Sequence, residues 1–187
     1  MSADQDREFE RLLEVMKKAG GALNEAGVPF VLGGGLACWA RGGPKTEHDV
    51  DFLVKPGDAE RAQQVLAEAG MRVENPPEGW LLKAYDDGVL VDLIFNPKSG
   101  PIDDATFRRA EELEVYAMNF KVAPLEDVIV QKVLALSEQD PDFSSVLELA
   151  RSLREQVGWE DVRERTKESP FAQAYFTLLE ELEIVKS

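Results

Sequence analysis

The chain has 187 residues, 44% of them hydrophobic, which suits one compact domain with a core of its own. Lys and Arg total 21 against 36 Asp and Glu, a formal net charge of -15, and this disfavours duplex DNA as a partner unless bound cations or a local basic patch intervene. A single cysteine, Cys38, excludes an internal disulfide, the acidic opening MSADQDREFE is unlike a signal peptide, and no apolar run approaches the ~20 residues of a membrane span, so a soluble cytoplasmic protein with no membrane partner is expected.

From Phe9, the apolar positions Leu12, Leu13, Met16, Ala19 and Leu23 recur at steps of three and four, predicting an amphipathic helix that ends near Gly27. VPFVLG, residues 28 to 33, reads as a short strand. LACWAR then reads as one or two helical turns, and HDVDFLV, residues 48 to 54, as a second strand. Asp58 is placed to cap a helix with the apolar face Ala59, Ala62, Val65, Leu66 and Ala69, stopped by Gly70. Three further strands follow: MRVEN (71 to 75), WLLKAYD (80 to 86) and VLVDLIF (89 to 95), the last two joined by the tight-turn dipeptide Asp87-Gly88. DDATFRRAEE predicts a short helix and LEVYAMNFKVA one or two edge strands. From Pro124 the pattern is helical, with breaks near Asp140 and Pro141, at Gly158, and at Ser169 and Pro170. The fold class is therefore α/β (α+β), a mixed β-sheet flanked by helices. Its expected division is a domain over residues 1 to 123 and a helical segment over 124 to 187 packed on it.

Two aspartates interrupt the second strand. Side chains alternate along a strand, so Asp49 and Asp51 point to one face with Cα atoms ~6.6 Å apart, and like charges held side by side cost free energy unless neutralised. VLVDLIF places Asp92 in mid-strand among Leu90, Val91, Leu93 and Ile94. Three acids on two strands of one sheet are explained together as a cluster for divalent cations, or separately as strand-end and lysine-paired carboxylates. Gly33, Gly34 and Gly35 close the first strand and open a helix, where bare N–H groups can receive phosphate oxygens or the chain simply turns a tight corner. A phosphate cradle beside a cation cluster is the equipment of phosphoryl or nucleotidyl transfer.

These residues resemble the signature of nucleotidyltransferases related to DNA polymerase beta: paired glycines, a spacer, an Asp-apolar-Asp strand and a later strand with a third acid. Here the spacer is Leu36 through His48, between Gly35 and Asp49-Val50-Asp51, and VLVDLIF supplies Asp92. The stretch LGGGLACWARGGPKTEHDVDFLVKPGDAERA and the later PLEDVIVQKVLAL are similar to small bacterial enzymes of this group, both antibiotic-modifying and toxin-type, the latter raising membership of a toxin-antitoxin pair. The resemblance implies the nucleotidyltransferase fold, an NTP co-substrate such as ATP, and two Mg²⁺ ions. It implies that Asp49, Asp51 and Asp92 act as catalytic metal ligands, that Gly34 and Gly35 lie against the triphosphate, and that pyrophosphate is released. Where such proteins often carry an arginine before the first acid, this chain has Lys45, which meets phosphate as a point charge rather than a fork.

Lys132 sits on a helix that is apolar on most sides, where it must snorkel, meet the phosphates or carboxylates, or serve as an ion-pair partner. Lys83, on the strand hairpinned to Asp92, is expected to balance charge. His48 alternates to the opposite face from Asp49, a packing or polar-contact position. Trp39, Trp80 and Trp159 read as core, Cys38 as a small buried apolar residue, and SEQDPDF as a solvated loop. The function that follows is transfer of a nucleoside monophosphate to a hydroxyl or phosphate acceptor, a small molecule or tRNA. The alternative is an inactive member of the fold that binds nucleotide or a partner. FAQAYFTLLEEL carries enough apolar side chains for a homodimer or partner surface.

Overall fold

The structure is a computed structural model that describes residues 3–46 and 49–185. Helix α1 (Ala3–Glu25) begins a turn and a half before its first apolar anchor and buries Phe9, Leu12, Leu13, Val15, Met16, Ala19 and Leu23 along one stripe. It ends as its sequence demands: Gly27 takes a positive φ of 65°, and the Val28 amide donates back to the Leu23 carbonyl at 2.9 Å. Then come β1 (Val31–Leu32), α2 (Gly34–Trp39), β2 (Asp49–Leu53), α3 (Ala59–Glu68), β3 (Arg72–Glu74), β4 (Leu81–Asp86) and β5 (Val89–Ile94). Asp58 does not cap α3 through its side chain; it closes a 3-10 turn over Pro56–Asp58 that feeds directly into the helix.

Among the described residues the strands form a seven-stranded sheet in the order β3-β4-β5-β2-β1-β7-β6, where β6 is Glu111–Val115 and β7 is Met118–Val122. β2 runs parallel to β5, and β1 parallel to β7; the other neighbours are antiparallel. The Asp87-Gly88 turn has φ of 46° and 81°, both left-handed, as a tight two-residue hairpin requires. The expectation of one or two edge strands after the short helix α4 (Asp104–Arg109) needs correction. β7 lies inside the sheet between β1 and β6, and the β6–β7 turn is made by Tyr116 and Ala117 at φ of 50° and 57°, without the glycine or asparagine that would have announced it. The true edges protect themselves: β3 is three exposed residues, and β6 begins Glu111, Glu112.

The buried face of the sheet meets α1 and α3 over β2, β4 and β5. Phe30, Phe52 and Phe120 form an aromatic knot there, with centroids 4.7, 6.1 and 6.5 Å apart. After β7 the chain turns helical: α5 (Leu125–Ala135), α6 (Ser144–Leu153), α7 (Trp159–Thr166) and α8 (Pro170–Glu181). α5 packs against α2, α6, α7 and α8, so this one helix joins the C-terminal helices to the sheet. The apolar face of α8 is spent inside the chain, where Ala172, Tyr175, Phe176 and Leu179 are buried. Among the described residues, no helix is long and apolar enough to cross a membrane.

Candidate active site

β2 alternates as its sequence pattern requires, with Val50 and Phe52 buried and Asp49 and Asp51 half-buried on the other face. The parallel register sets Asp51 opposite Asp92, which is 7% exposed, and the antiparallel register sets Asp92 opposite Lys83. All three carboxylates therefore meet. Each of Asp49, Asp51 and Asp92 offers an oxygen, and these oxygens lie within 4.8 Å of one another.

The electrostatics follow from crowding. Burial, reinforced by Asp49 and Asp92, pushes the Asp51 carboxyl up to about 7 against the opposing pull of Lys132 and Lys83. Burial also raises Asp92, although Lys83 Nζ donates to its Oδ1 at 3.1 Å. Partial burial is the largest single influence on the Lys83 ammonium and lowers it, but the hydrogen bond and charge of Asp92, with the charges of Tyr85 and Asp49, together outweigh it and the net direction is up. An all-oxygen set of three carboxylates, desolvated and short of counter-charge, fits a hard divalent cation such as Mg²⁺.

The glycines have a steric reason to be where they are. Gly34 has a φ of 54°, and a Cβ built on it would lie 1.6 Å from Asp51 Oδ2, inside the carboxylate. A Cβ on Gly35 would meet Thr46 Cβ and Oγ1 at 2.6 Å. The Gly33 amide donates to the Asp51 carbonyl at 2.8 Å, fixing the turn to β2. Backbone thus comes within touching distance of the acidic cluster, and only residues without side chains permit it.

A cavity of about 670 Å³ opens on this cluster, lined by Gly34 and the three acids on one side and by Val128, Gln131 and Lys132 of α5 on the other. Lys132 also lines a neighbouring groove of about 480 Å³ with Gly35, Thr46 and Lys45. It stands where the two meet. Lys45 belongs to that groove and not to the cavity: its Nζ is 2.9 Å from Asp6 Oδ1 and 5.1 Å from the Phe9 ring centroid. His48 lies outside the described residues.

Trp80 departs from the core role expected of it: it is 38% exposed and lines the cavity. Trp39 packs edge-on against Phe9 at 5.0 Å, and Trp159 against Phe176 at 6.4 Å, both in the manner expected of core aromatics. Cys38 is fully buried, and burial pushes its thiol up to about 11. Reasoning from sequence missed the buried Asp127 of α5 and its arginine partners, because its two ion pairs join residues far apart in the chain.

Comparison with known proteins places this geometry in context. A family described as "Nucleotidyl transferase of unknown function (DUF2204)" matches residues 9–176. The structure of ANT(2")-Ia in complex with adenylyl-2"-tobramycin is similar, with a TM-score of 0.65 and 16% identity, over 88% of this chain and 97% of that one. A putative nucleotidyltransferase from Thermotoga maritima gives a TM-score of 0.52 at 18% identity over 86% and 95% of the two chains. The lincomycin-bound lincosamide antibiotic adenylyltransferase LnuA gives 0.52 at 13% over 81% and 97%. At these identities the likeness is one of fold. No curated protein matches the chain by sequence.

Proposed function

Since the chain belongs to the DUF2204 nucleotidyl transferase family, we propose that it moves a nucleoside monophosphate from an NTP to a hydroxyl acceptor in a Mg²⁺-dependent reaction at Asp49, Asp51 and Asp92. The observation that carries this reading is the meeting of the three carboxylates beside the bare backbone of Gly34, in a cavity large enough for substrates. Asp49, Asp51 and Asp92 would hold the ions, which when bound neutralise the triphosphate and stabilise the charge that develops on it.

In this reading the protein's own groups divide the work. Gly34 and Gly35 admit the triphosphate close to the main chain, and Lys132, reaching from α5 to the boundary of cavity and groove, offers an ammonium to phosphate oxygens. Lys45 lies along the groove into which the far end of the triphosphate can extend. Asp92, whose carboxyl is raised by burial, stands beside the acceptor position and takes the hydroxyl proton. The acceptor oxygen bonds to the α-phosphorus; the bond from that phosphorus to the bridging oxygen breaks, and its electron pair leaves with pyrophosphate. Residues 124 to 187 act as a helical segment that supplies the far wall through Val128, Gln131 and Lys132.

The second reading, an inactive member that binds nucleotide without transfer, draws on one observation: Lys83 already occupies one oxygen of Asp92. Calorimetric titration of each Mg-NTP, run beside a pyrophosphate-release assay in cell extract, separates the two. Release that depends on Mg²⁺ and falls at least about 10³-fold in Asp49→Asn/Asp51→Asn is the expected result. Nucleotide binding without release in any extract selects the second reading, and loss of both overturns the site.

A further inference from the structure

The lining of the cavity narrows the chemistry of the acceptor, given the transfer reaction proposed above. In a chain with 36 acids against 21 bases, the carboxylates that line the cavity among the described residues are Asp49, Asp51 and Asp92. All three are committed to the ions. The rest of the wall pairs an apolar surface of Trp80, Ile94 and Val128 with the neutral amides of Asn96 and Gln131. Among the described residues, the full charge that remains is positive: Lys132 toward the phosphates, and Lys98 on the loop after β5. Lys98 is exposed, and its Nζ donates to the Ala135 carbonyl at 3.4 Å; among the described residues no carboxylate comes within ion-pair distance of it. Glu78, whose charge reaches Asp92, is an exposed loop residue and does not line the cavity.

Among the described residues, an acceptor bearing ammonium groups would therefore meet no carboxylate beyond those committed to the ions and would face Lys98, whose charge repels it. That arrangement discriminates by repulsion as much as by attraction. We infer that the acceptor is an uncharged or anionic hydroxyl compound with an apolar portion. The apolar portion lies on Trp80, Ile94 and Val128; amide contacts come from Asn96 and Gln131; Lys98 meets a negative or hydrogen-bond-accepting group at the rim; and the reacting hydroxyl faces Asp92.

The test divides acceptors by charge before the reaction. A small-molecule cell extract is passed over a cation exchanger at neutral pH, and the retained pool, the flow-through pool and kanamycin as a defined polycation are each incubated with protein, Mg²⁺ and each α-³²P-NTP. Binding of the non-cleavable α,β-methylene analogue of each NTP is measured in parallel. Label entering flow-through compounds at least tenfold more than the retained pool, with kanamycin unlabelled, is the expected result. Lys98→Glu, an exposed change that the fold tolerates, should cut that labelling about tenfold while the analogue still binds within twofold of wild type. Label in the retained pool or in kanamycin, or an unmoved Lys98→Glu, would each overturn the acceptor assignment. No product in any pool while the analogue binds would instead select the inactive reading and remove the transfer beneath the assignment, and failure of the analogue itself to bind would overturn the nucleotide site.

Discussion

Asp127 and the cluster of Asp49, Asp51 and Asp92 are carboxylates withdrawn from water within one fold, and the fold treats them oppositely. Asp127 is 4% exposed and is given two arginines: Arg109 donates to Oδ2 from Nε at 3.1 Å and Nη2 at 2.9 Å, while Arg165 Nη1 lies 2.8 Å from Oδ1. The second contact is one of charge, since Oδ1 lacks an aligned hydrogen bond. One acid thus receives two cations. In the cluster the ratio reverses, with three acids and, among the described residues, one directly bonded lysine, Lys83. The surplus of arginine at Asp127 locks α4 and α7 onto α5, the helix that carries Lys132. The deficit at the cluster leaves charge for something else to neutralise. A buried acid with matched cations is a fastener, and one without them is a binding site in waiting.

The largest stability effect that tests this contrast is at the fastener. Asp127→Asn leaves two guanidinium groups facing a neutral amide and should cost about 3 kcal/mol, read as a lowered urea midpoint. A loss below about 1 kcal/mol would mean that the arginines rehydrate freely and that the locking role fails. Next comes Gly34→Ala, where a methyl group collides with the Asp51 carboxylate at a positive φ. We expect a cost of about 2 kcal/mol with a larger proportional loss of Mg²⁺ response, because the ligand itself is displaced. The cluster comes third and carries the opposite sign. Asp49→Asn/Asp51→Asn should raise the stability of the metal-free protein by about 1 kcal/mol, a shift of about 2–4 °C in Tm, by relieving like-charge repulsion. Added Mg²⁺ should raise the wild-type Tm and leave this variant unmoved. Metal-free destabilisation by the same substitutions would show that the carboxylates are satisfied as they stand. The smallest effect concerns Cys38. With its thiol pushed up to about 11, only ~0.1% is thiolate at pH 8, so iodoacetamide should label the native protein hardly at all and the urea-unfolded protein readily.

The same contrast explains what sequence could and could not reveal. Asp49 and Asp51 were legible because strand alternation needs no knowledge of the fold, and Asp92 because an acid amid Val91, Leu93 and Ile94 demands a reason. The helices from α5 onward were legible from Pro and Gly punctuation. The pairing of Lys83 with Asp92 was foreseen as charge balance, since the Asp87-Gly88 turn fixes the hairpin register. Nothing local pointed to Asp127, whose partners Arg109 and Arg165 lie 18 and 38 positions away (127 − 109 and 165 − 127) and meet it only after α4, α5 and α7 assemble. Trp80 was misjudged because size and apolarity favour burial, whereas its position just before β4 sets it at the mouth of the cavity. The Tyr116-Ala117 turn was missed because its strained backbone is imposed by the β6–β7 pairing rather than encouraged by its residues.

The parallel match of Asp51 with Asp92 constrains where the chain can grow or shrink. Deleting or adding one residue between Gly88 and Asp92 would rotate the third acid to the opposite side of the sheet and present Val91 or Leu93 in its stead, erasing the cluster while leaving the hydrophobic content almost unchanged. The loop of residues 75 to 80 ahead of β4 bears no such restriction, because the register of β4 and β5 is set from the other end. Length variation in a population of related chains should therefore collect in that loop and be absent from the short span that leads to the third acid.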